Sequence, residues 1–253
     1  MSIYGICNIA SIPLRDRPSH RSEMTSQLIF GEIYEILEQD INWLYIRNLY
    51  DDYKGCIDRG QLSLVRDKEI DEFYINQKPI VVSSFTTLYD KRRNLHFTIP
   101  PGSTLPMRDK NTIYIGAEWF EVKNIPQSNN IEELLFSFIN APYLWGGRTP
   151  LGIDCSGFNQ IIFKIIDIRL KRDASQQAQQ GKLVPSIDEM QCFDLAFFKN
   201  NENKITHTGI VYKDNMIFHA SGKVRIDRID AEGIFNLEKE EYSHTLHSIR
   251  RFM

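Results

Sequence analysis

The sequence predicts an α+β protein. A mixed domain over residues 127–253 follows two small β-barrels, one over 1–65 and one, behind a linker, over 66–126. Three observations carry this. The first half reads as short alternating strands and turns, with no helical periodicity of any length. The last 125 or so residues place helical patterns first and strand patterns after, the order of an α+β domain. The segments NWLYIRN (42–48) and EWFEVKN (118–124) resemble each other, each late in a block of roughly 60 residues, as two copies of one unit would be.

In chain order, GEIYEILEQ and NWLYIRN alternate apolar and polar residues, with turns at Gln39-Asp40 and Asp51-Asp52. The charged stretch RDKEIDEFYINQK (66–78) reads as a linker with one helical turn. KPIVVSSFTTLYD, a Pro100-Pro101-Gly102 turn and AEWFEVKN rebuild the strand texture. After Pro126, SNNIEELLFSFIN opens with N-cap residues and acidic first-turn residues, so a helix begins there. DASQQAQQG is a short helix that Gly181 closes. The strands DLAFFKN, HTGIVYK, NMIFHAS, KVRIDRI and HSIRRFM follow.

The formal net charge of -3 argues against non-specific nucleic-acid binding, which needs a basic surface. The groups Lys91-Arg92-Arg93 and Lys171-Arg172 read as solvated surface. No apolar run reaches membrane-spanning length. MSIYGICNIASIPLR lacks the basic and apolar regions of a secretion signal. The expectation is a cytoplasmic protein, or a periplasmic one if a leader is missing from the chain. Cys7, Cys56, Cys155 and Cys192 contain no CxxC pair and no disulfide framework, so neither a metal nor an organic cofactor is expected.

One cysteine stands apart. In YLWGGRTPLGIDCSGF (143–158), Gly146, Gly147, Pro150 and Gly152 forbid regular structure up to Asp154. Then Phe158, Ile161, Ile162, Ile165 and Ile166 set a helical period. Asp154 suits the N-cap, which puts Cys155 at the first helical position. There the helix dipole favours a thiolate, so a lowered pKa is expected, and the backbone N–H of Cys155 is a natural oxyanion donor. A nucleophilic cysteine needs a base and the base needs an orienting group. His207 and His219 lie in the later strands, while His20, His96, His244 and His247 read as surface or structural. A helix-borne cysteine, a strand-borne histidine and a polar residue on the next strand is the chain order of papain-like enzymes.

These segments carry a resemblance. YLWGG, the DCSGF box, HTGI and FHAS are similar to the NlpC-type cysteine peptidases that cut bacterial cell-wall peptides, over residues 128–253. PSHRSEMTSQLIFGE and DDYKGCID resemble the bacterial SH3-like domain of γ-D-glutamyl-L-diamino acid endopeptidases of the dipeptidyl-peptidase VI type. The resemblance implies a papain-like domain behind two SH3-like barrels. It implies Cys155 as nucleophile, His207 as base and His219 as orienting group. It further implies Asp154 and Glu23 as partners of the substrate ammonium, and Tyr53, Tyr143, Trp145, Ser156 and Ser175 as pocket lining. Two departures stand out: Cys56 replaces a tryptophan, and QCFDLAFF lacks the usual Pro-Gly before Asp194-Leu195. Both read as packing changes.

The implied substrate is a murein peptide such as L-Ala-γ-D-Glu-diaminopimelate with a free N-terminal L-alanine, cut after D-glutamate. An acyltransferase or amidase on the same scaffold, or a cell-wall-binding module with a vestigial site, are the alternatives. The two histidines also set a condition on the fold. A two-residue turn at Asp214-Asn215 would pair Ile210 with His219 and put the rings on opposite faces of the sheet. A three-residue loop, Lys213 to Asn215, would pair Gly209 with His219 and bring both rings to one face. The catalytic reading requires the second.

Overall fold

A computed structural model describes residues 2–70, 80–115, 118–123 and 130–253. The boundary expected near Pro126, the start of the helix at Ser128 and linker residues 71–78 lie outside the described residues. The chain divides into two compact units, 1–134 and 135–253.

In the first unit a seven-stranded antiparallel sheet runs in the order 24–29, 11–15, 54–58, 43–48, 33–39, 3–6 and 64–65. Ile12, Leu14, Leu28, Leu44, Ile46 and Ile57 are fully buried within it. A smaller four-stranded sheet (95–99, 86–90, 118–122, 112–115) and the pair 80–81 with 104–105 follow. The two similar segments take similar places. Trp43–Asn48 lies between two strands of the first sheet, and Glu118–Val122 between two of the second. Cys56 is buried on its strand opposite Tyr45, a packing position as its departure from tryptophan suggests. The linker's helical turn is present at Asp67–Ile70.

The second unit opens with the helix Ile131–Ser137, which straddles the division. Asn130 caps it by accepting from the Glu132 and Glu133 backbone N–H groups. Next come the glycine-rich loop and the nucleophile helix, Cys155–Ile165. Its apolar stripe of Phe158, Ile161 and Ile162 is fully buried, but so are Asn159 and Gln160, and Lys164 is largely buried. The polar face of this helix is therefore internal as well. Asn159 donates to the Thr208 hydroxyl at 3.0 Å and Gln160 to the Leu170 carbonyl at 3.0 Å. The short helix Ala174–Gln177 has the capping box of Asp173 and Gln176.

The remaining strands form one antiparallel sheet. Strands 195–199, 205–212, 216–221, 223–229, 233–236 and 241–251 pair in succession, and the last returns to pair with the first. This closes a six-stranded barrel. One face of it carries Ala196, Phe198, Val211, Ile217, Ile229, Ile234 and Ile249 as an apolar core. The registers put His207, His219 and Asp227 on that same face. Phe193 stands where the resemblance expects glycine and takes a left-handed backbone (φ 72°). The turn is kept without its usual residue, and Asp194 beyond it holds Arg251 through two bonds of 2.9 and 2.8 Å.

The critical loop is odd. Lys213–Asn215 forms a tight three-residue loop whose backbone is not helical at Asp214, Tyr212 pairs with Met216, and Gly209 pairs with His219. Asp214 and Asn215 both adopt left-handed backbone (φ 56° and 57°), which Asp and Asn tolerate better than other non-glycine residues. An Asn215→Val substitution would force a β-branched residue into that region. It should lower the unfolding free energy by about 1–2 kcal/mol in urea titration. An unchanged midpoint would contradict this account of the turn.

Candidate active site

The loop before the nucleophile is tied to the helix by one carboxylate. Asp154 Oδ1 accepts from the Gly157 N–H at 2.7 Å, the cap expected from sequence. Its Oδ2 accepts from the Gly146 N–H at 2.8 Å. Loop and helix meet so closely that a Cβ on Gly157 would lie 2.3 Å from the Gly147 carbonyl oxygen. Arg172, 1% exposed, then closes on the carboxylate with both Nη atoms, at 3.0 and 2.6 Å, and donates to the Ser156 hydroxyl at 2.9 Å. A buried charge of either sign requires such a partner.

This arrangement changes two expectations. Counting the Ser156 hydroxyl at 3.3 Å, Asp154 receives five donors, more than the roughly four lone-pair sites of a carboxylate. Its charge faces Arg172, and it does not stand open for a substrate ammonium. Ser156 is turned into the same pair and is buried. Elsewhere around the loop, Tyr143 is half-buried near Cys155 and Asp154. Burial and those two groups push its phenol up to about 12. Trp145 is 58% exposed and Ser175 is exposed on its short helix. In the first unit, Glu23 is exposed just ahead of strand 24–29, and Tyr53 packs half-buried on the sheet core.

Cys155 occupies the first position of its helix and is buried. The N–H groups of Thr208 and Ser156 reach its sulfur, so the thiol lies against the strand of His207. The lowered pKa expected from the helix dipole is overturned. Burial, reinforced by the negative charge of Asp154, pushes the thiol up to about 12. His207 moves the opposite way: burial, with His244 and His219 beside it, holds it well below the usual imidazole value. Both shifts favour a neutral thiol beside a neutral imidazole over an ion pair.

The histidines do meet. His207 Nε2 lies 2.9 Å from His219 Nδ1, with both rings buried. Beyond them, His219 Nε2 lies 2.9 Å from Oδ2 of Asp227, which is 0% exposed. Asp227 carries no assignment in the sequence analysis, and Arg172, expected as solvated surface, is buried against Asp154. A signal for the first was an aspartate, a residue depleted in strands, inside the strand KVRIDRI. His244 corrects its assignment as merely surface or structural: its ring stacks on His207 at 4.0 Å between centroids and 22° between planes. A bulge between Phe197 and Phe198 pairs Leu246 with Phe198, and this shift turns His244 to the face of His207. Among the described residues, His207, His219 and His244 are the group whose ligand atoms lie close enough to suggest a metal, within 4.8 Å of one another. Nearly parallel stacked rings do not aim their in-plane lone pairs at one point, so the stack as built is not a coordination site. His20 against Trp43, His96 against Tyr89 and His247 beside Ser248 are as expected.

Comparison with known proteins fits this geometry. Residues 140–244 match the NlpC/P60 family and residues 14–62 the bacterial dipeptidyl-peptidase Sh3 domain. The probable endopeptidase NlpC of Escherichia coli K12 is 33% identical over 107 residues, 42% of this chain and 69% of that protein. The chain belongs to the NlpC/P60 family. This is a family of cysteine peptidases, and the chain carries an N-terminal SH3-like domain before its peptidase domain. The γ-D-glutamyl-L-lysine dipeptidyl-peptidase of Bacillus subtilis 168 is 44% identical over 85 residues, 33% of this chain but only 28% of that protein. Dipeptidyl-peptidase 6 of Lysinibacillus sphaericus is 25% identical over 248 residues, 85% of this chain and 88% of that one. An NlpC/P60 family protein from Bacillus cereus shares the fold at a TM-score of 0.81, with 17% identity over 98% of this chain and 99% of that one.

A neutral, buried thiol should alkylate slowly in the free protein. The rate of iodoacetamide labelling at Cys155 should climb continuously from about pH 6 to about pH 10. A rate already at its plateau in mild acid would show a stabilised thiolate and contradict the burial argument.

Proposed function

We propose that the protein hydrolyses the γ-D-glutamyl–diamino acid bond of murein-derived peptides bearing a free N-terminal L-alanine. Cys155 is the nucleophile, His207 the base and His219 its orienting group. The observation that carries the chemistry is Cys155 at its helix start against the strand of His207, with His207 Nε2 2.9 Å from His219 Nδ1. The names of the Bacillus subtilis and Lysinibacillus sphaericus relatives support the substrate class, as does the dipeptidyl-peptidase type of the SH3-like domain.

In this reading the S–H proton passes to His207 as sulfur attacks the γ-carbonyl, so charge forms only when substrate has displaced water from the site. The Cys155 N–H, at the positive end of the helix, stabilises the oxyanion. His207 returns the proton to the leaving amine, and water then releases the acyl group. Tyr143, Trp145 and Ser175 line the peptide, with Ser156 behind Asp154. The family resemblance assigns Glu23 and Tyr53 to the N-terminal residue of the substrate. The bonding of Asp154 to Arg172 favours a second reading, in which the ammonium is not read by Asp154 and blocked peptides are also cut.

Mass analysis of products from L-Ala-γ-D-Glu-diaminopimelate beside its N-acetylated copy separates the two. The first reading predicts release of L-Ala-D-Glu and the free diamino acid, loss of turnover in Cys155→Ala, and at least a 100-fold slower reaction after acetylation. Equal rates on the two peptides would contradict the free-amine requirement. No cleavage of either would contradict the peptidase reading itself.

A further inference from the structure

Beyond the two histidines, the buried chain of contacts continues to a carboxylate. His219 Nε2 faces Asp227 Oδ2 at 2.9 Å, and the other side of Asp227 is fully engaged. Arg225 donates from Nε to Oδ2 at 2.6 Å and from Nη2 to Oδ1 at 3.0 Å, and the Leu237 N–H donates to Oδ1 at 2.9 Å. Arg225 is itself held by Glu238 and Asn236. Burial works against the charged carboxylate, but hydrogen bonds from His219, Arg225 and Leu237 outweigh it and hold Asp227 at about 2. At neutral pH it is an acceptor only.

We propose that Asp227 is a positioning residue that fixes where the proton sits on His207, by forcing His219 to donate from Nε2. This rests on the reading of Cys155 and His207 as nucleophile and base. A neutral imidazole has one donor nitrogen and one acceptor. If His219 Nε2–H donates to Asp227, then His219 Nδ1 must accept, and the group 2.9 Å from it, His207 Nε2, must donate. His207 Nδ1 is then the bare nitrogen, free to take the Cys155 proton. The opposite tautomer of His219 would set two acceptors 2.9 Å apart at Asp227.

An imidazolium at His219 would also defeat the arrangement, because its Nδ1–H would claim the His207 Nε2 lone pair and leave the proton on Nδ1. Burial opposes that state, and Arg225 opposes it further by neutralising Asp227. The charged and titratable groups that face the two rings are Arg225 and Asp227 from strand 223–229 and His244 from strand 241–251, with Glu238 on the far side of Arg225. His244 stays neutral at pH 7, lowered to about 4 by burial and by His219.

Asp227→Asn tests this with little change of shape. The two donors at Oδ1, Leu237 N–H and Arg225 Nη2, hold the amide oxygen there and turn the NH2 toward His219, at the cost of the bond from Arg225 Nε to that position. His219 Nε2 must now accept, its proton moves to Nδ1, and His207 is left protonated on Nδ1, unable to serve as base. Long-range 1H–15N spectra of the histidine rings at pH 7 should show His207 and His219 both protonated on Nε2 in the wild type and both on Nδ1 in Asp227→Asn. Turnover of L-Ala-γ-D-Glu-diaminopimelate should fall by on the order of 10²–10⁴-fold in kcat, as expected for a base held in the wrong tautomer, with KM within about threefold. It should recover as pH rises and the thiol ionises unaided.

A wild-type His207 protonated on Nδ1 overturns the proposal, and so does an Asp227→Asn protein that keeps the wild-type tautomers and rate. Should that variant fail to fold, the wild-type spectrum decides. Reversed tautomers with unchanged kcat would refute His207 as base. An absence of turnover in the wild type would refute the peptidase reading, while the ring spectra still judge the proton assignment.

Discussion

Side chains alternate across a strand, so the parity of the loop between two paired strands decides which side chains share a face. Here three residues, Lys213–Asn215, connect the strand of His207 to that of His219, and Gly209 stands opposite His219. His207, two residues before Gly209, therefore projects on the same side, close enough for a 2.9 Å contact between ring nitrogens. The next register extends the same face: His219 pairs with Arg225, and Asp227 follows two residues on. A one-residue change in that loop would turn His219 to the other face and leave His207 without its partner. Left-handed backbone at Asp214 and Asn215 lets the chain reverse within this loop.

The site is built from buried charges in compensated pairs. Asp154 ties the glycine loop to the nucleophile helix and is neutralised by Arg172; Asp227 anchors His219 and is neutralised by Arg225. Burial keeps the thiol and the imidazoles of the site uncharged. Such a site holds its geometry without substrate, and charge separation waits for the moment of reaction. Breaking either ion pair would leave a buried charge uncompensated, at a cost of about 3–5 kcal/mol.

Local features were legible in the sequence and tertiary ones less so. The N-cap at Asp154, the position of Cys155 and the helix that follows depend on neighbours within a few residues, and all are present. The hairpin could only be posed as two alternatives, because Asp-Asn suits a two-residue turn as well as this three-residue one. The thiol was misread because the helix dipole is a local signal, whereas its burial and the charge of Asp154 beside it depend on the assembled site. Asp227 hid between Arg225 and Arg228, where alternation of charge reads as a solvated strand. His244 hid behind a bulge, and Arg172 read as surface because its partner lies 18 residues upstream.

The central claim is that Cys155, served by this histidine pair, carries the acyl group of the substrate. Rapid acid quench of the wild-type protein with L-Ala-γ-D-Glu-diaminopimelate, followed by peptide mapping, tests it most directly. The account predicts an L-Ala-γ-D-Glu adduct on the peptide containing Cys155, labile to hydroxylamine as a thioester is. Turnover with no adduct on Cys155, or an adduct on Cys7, Cys56 or Cys192 instead, would contradict it.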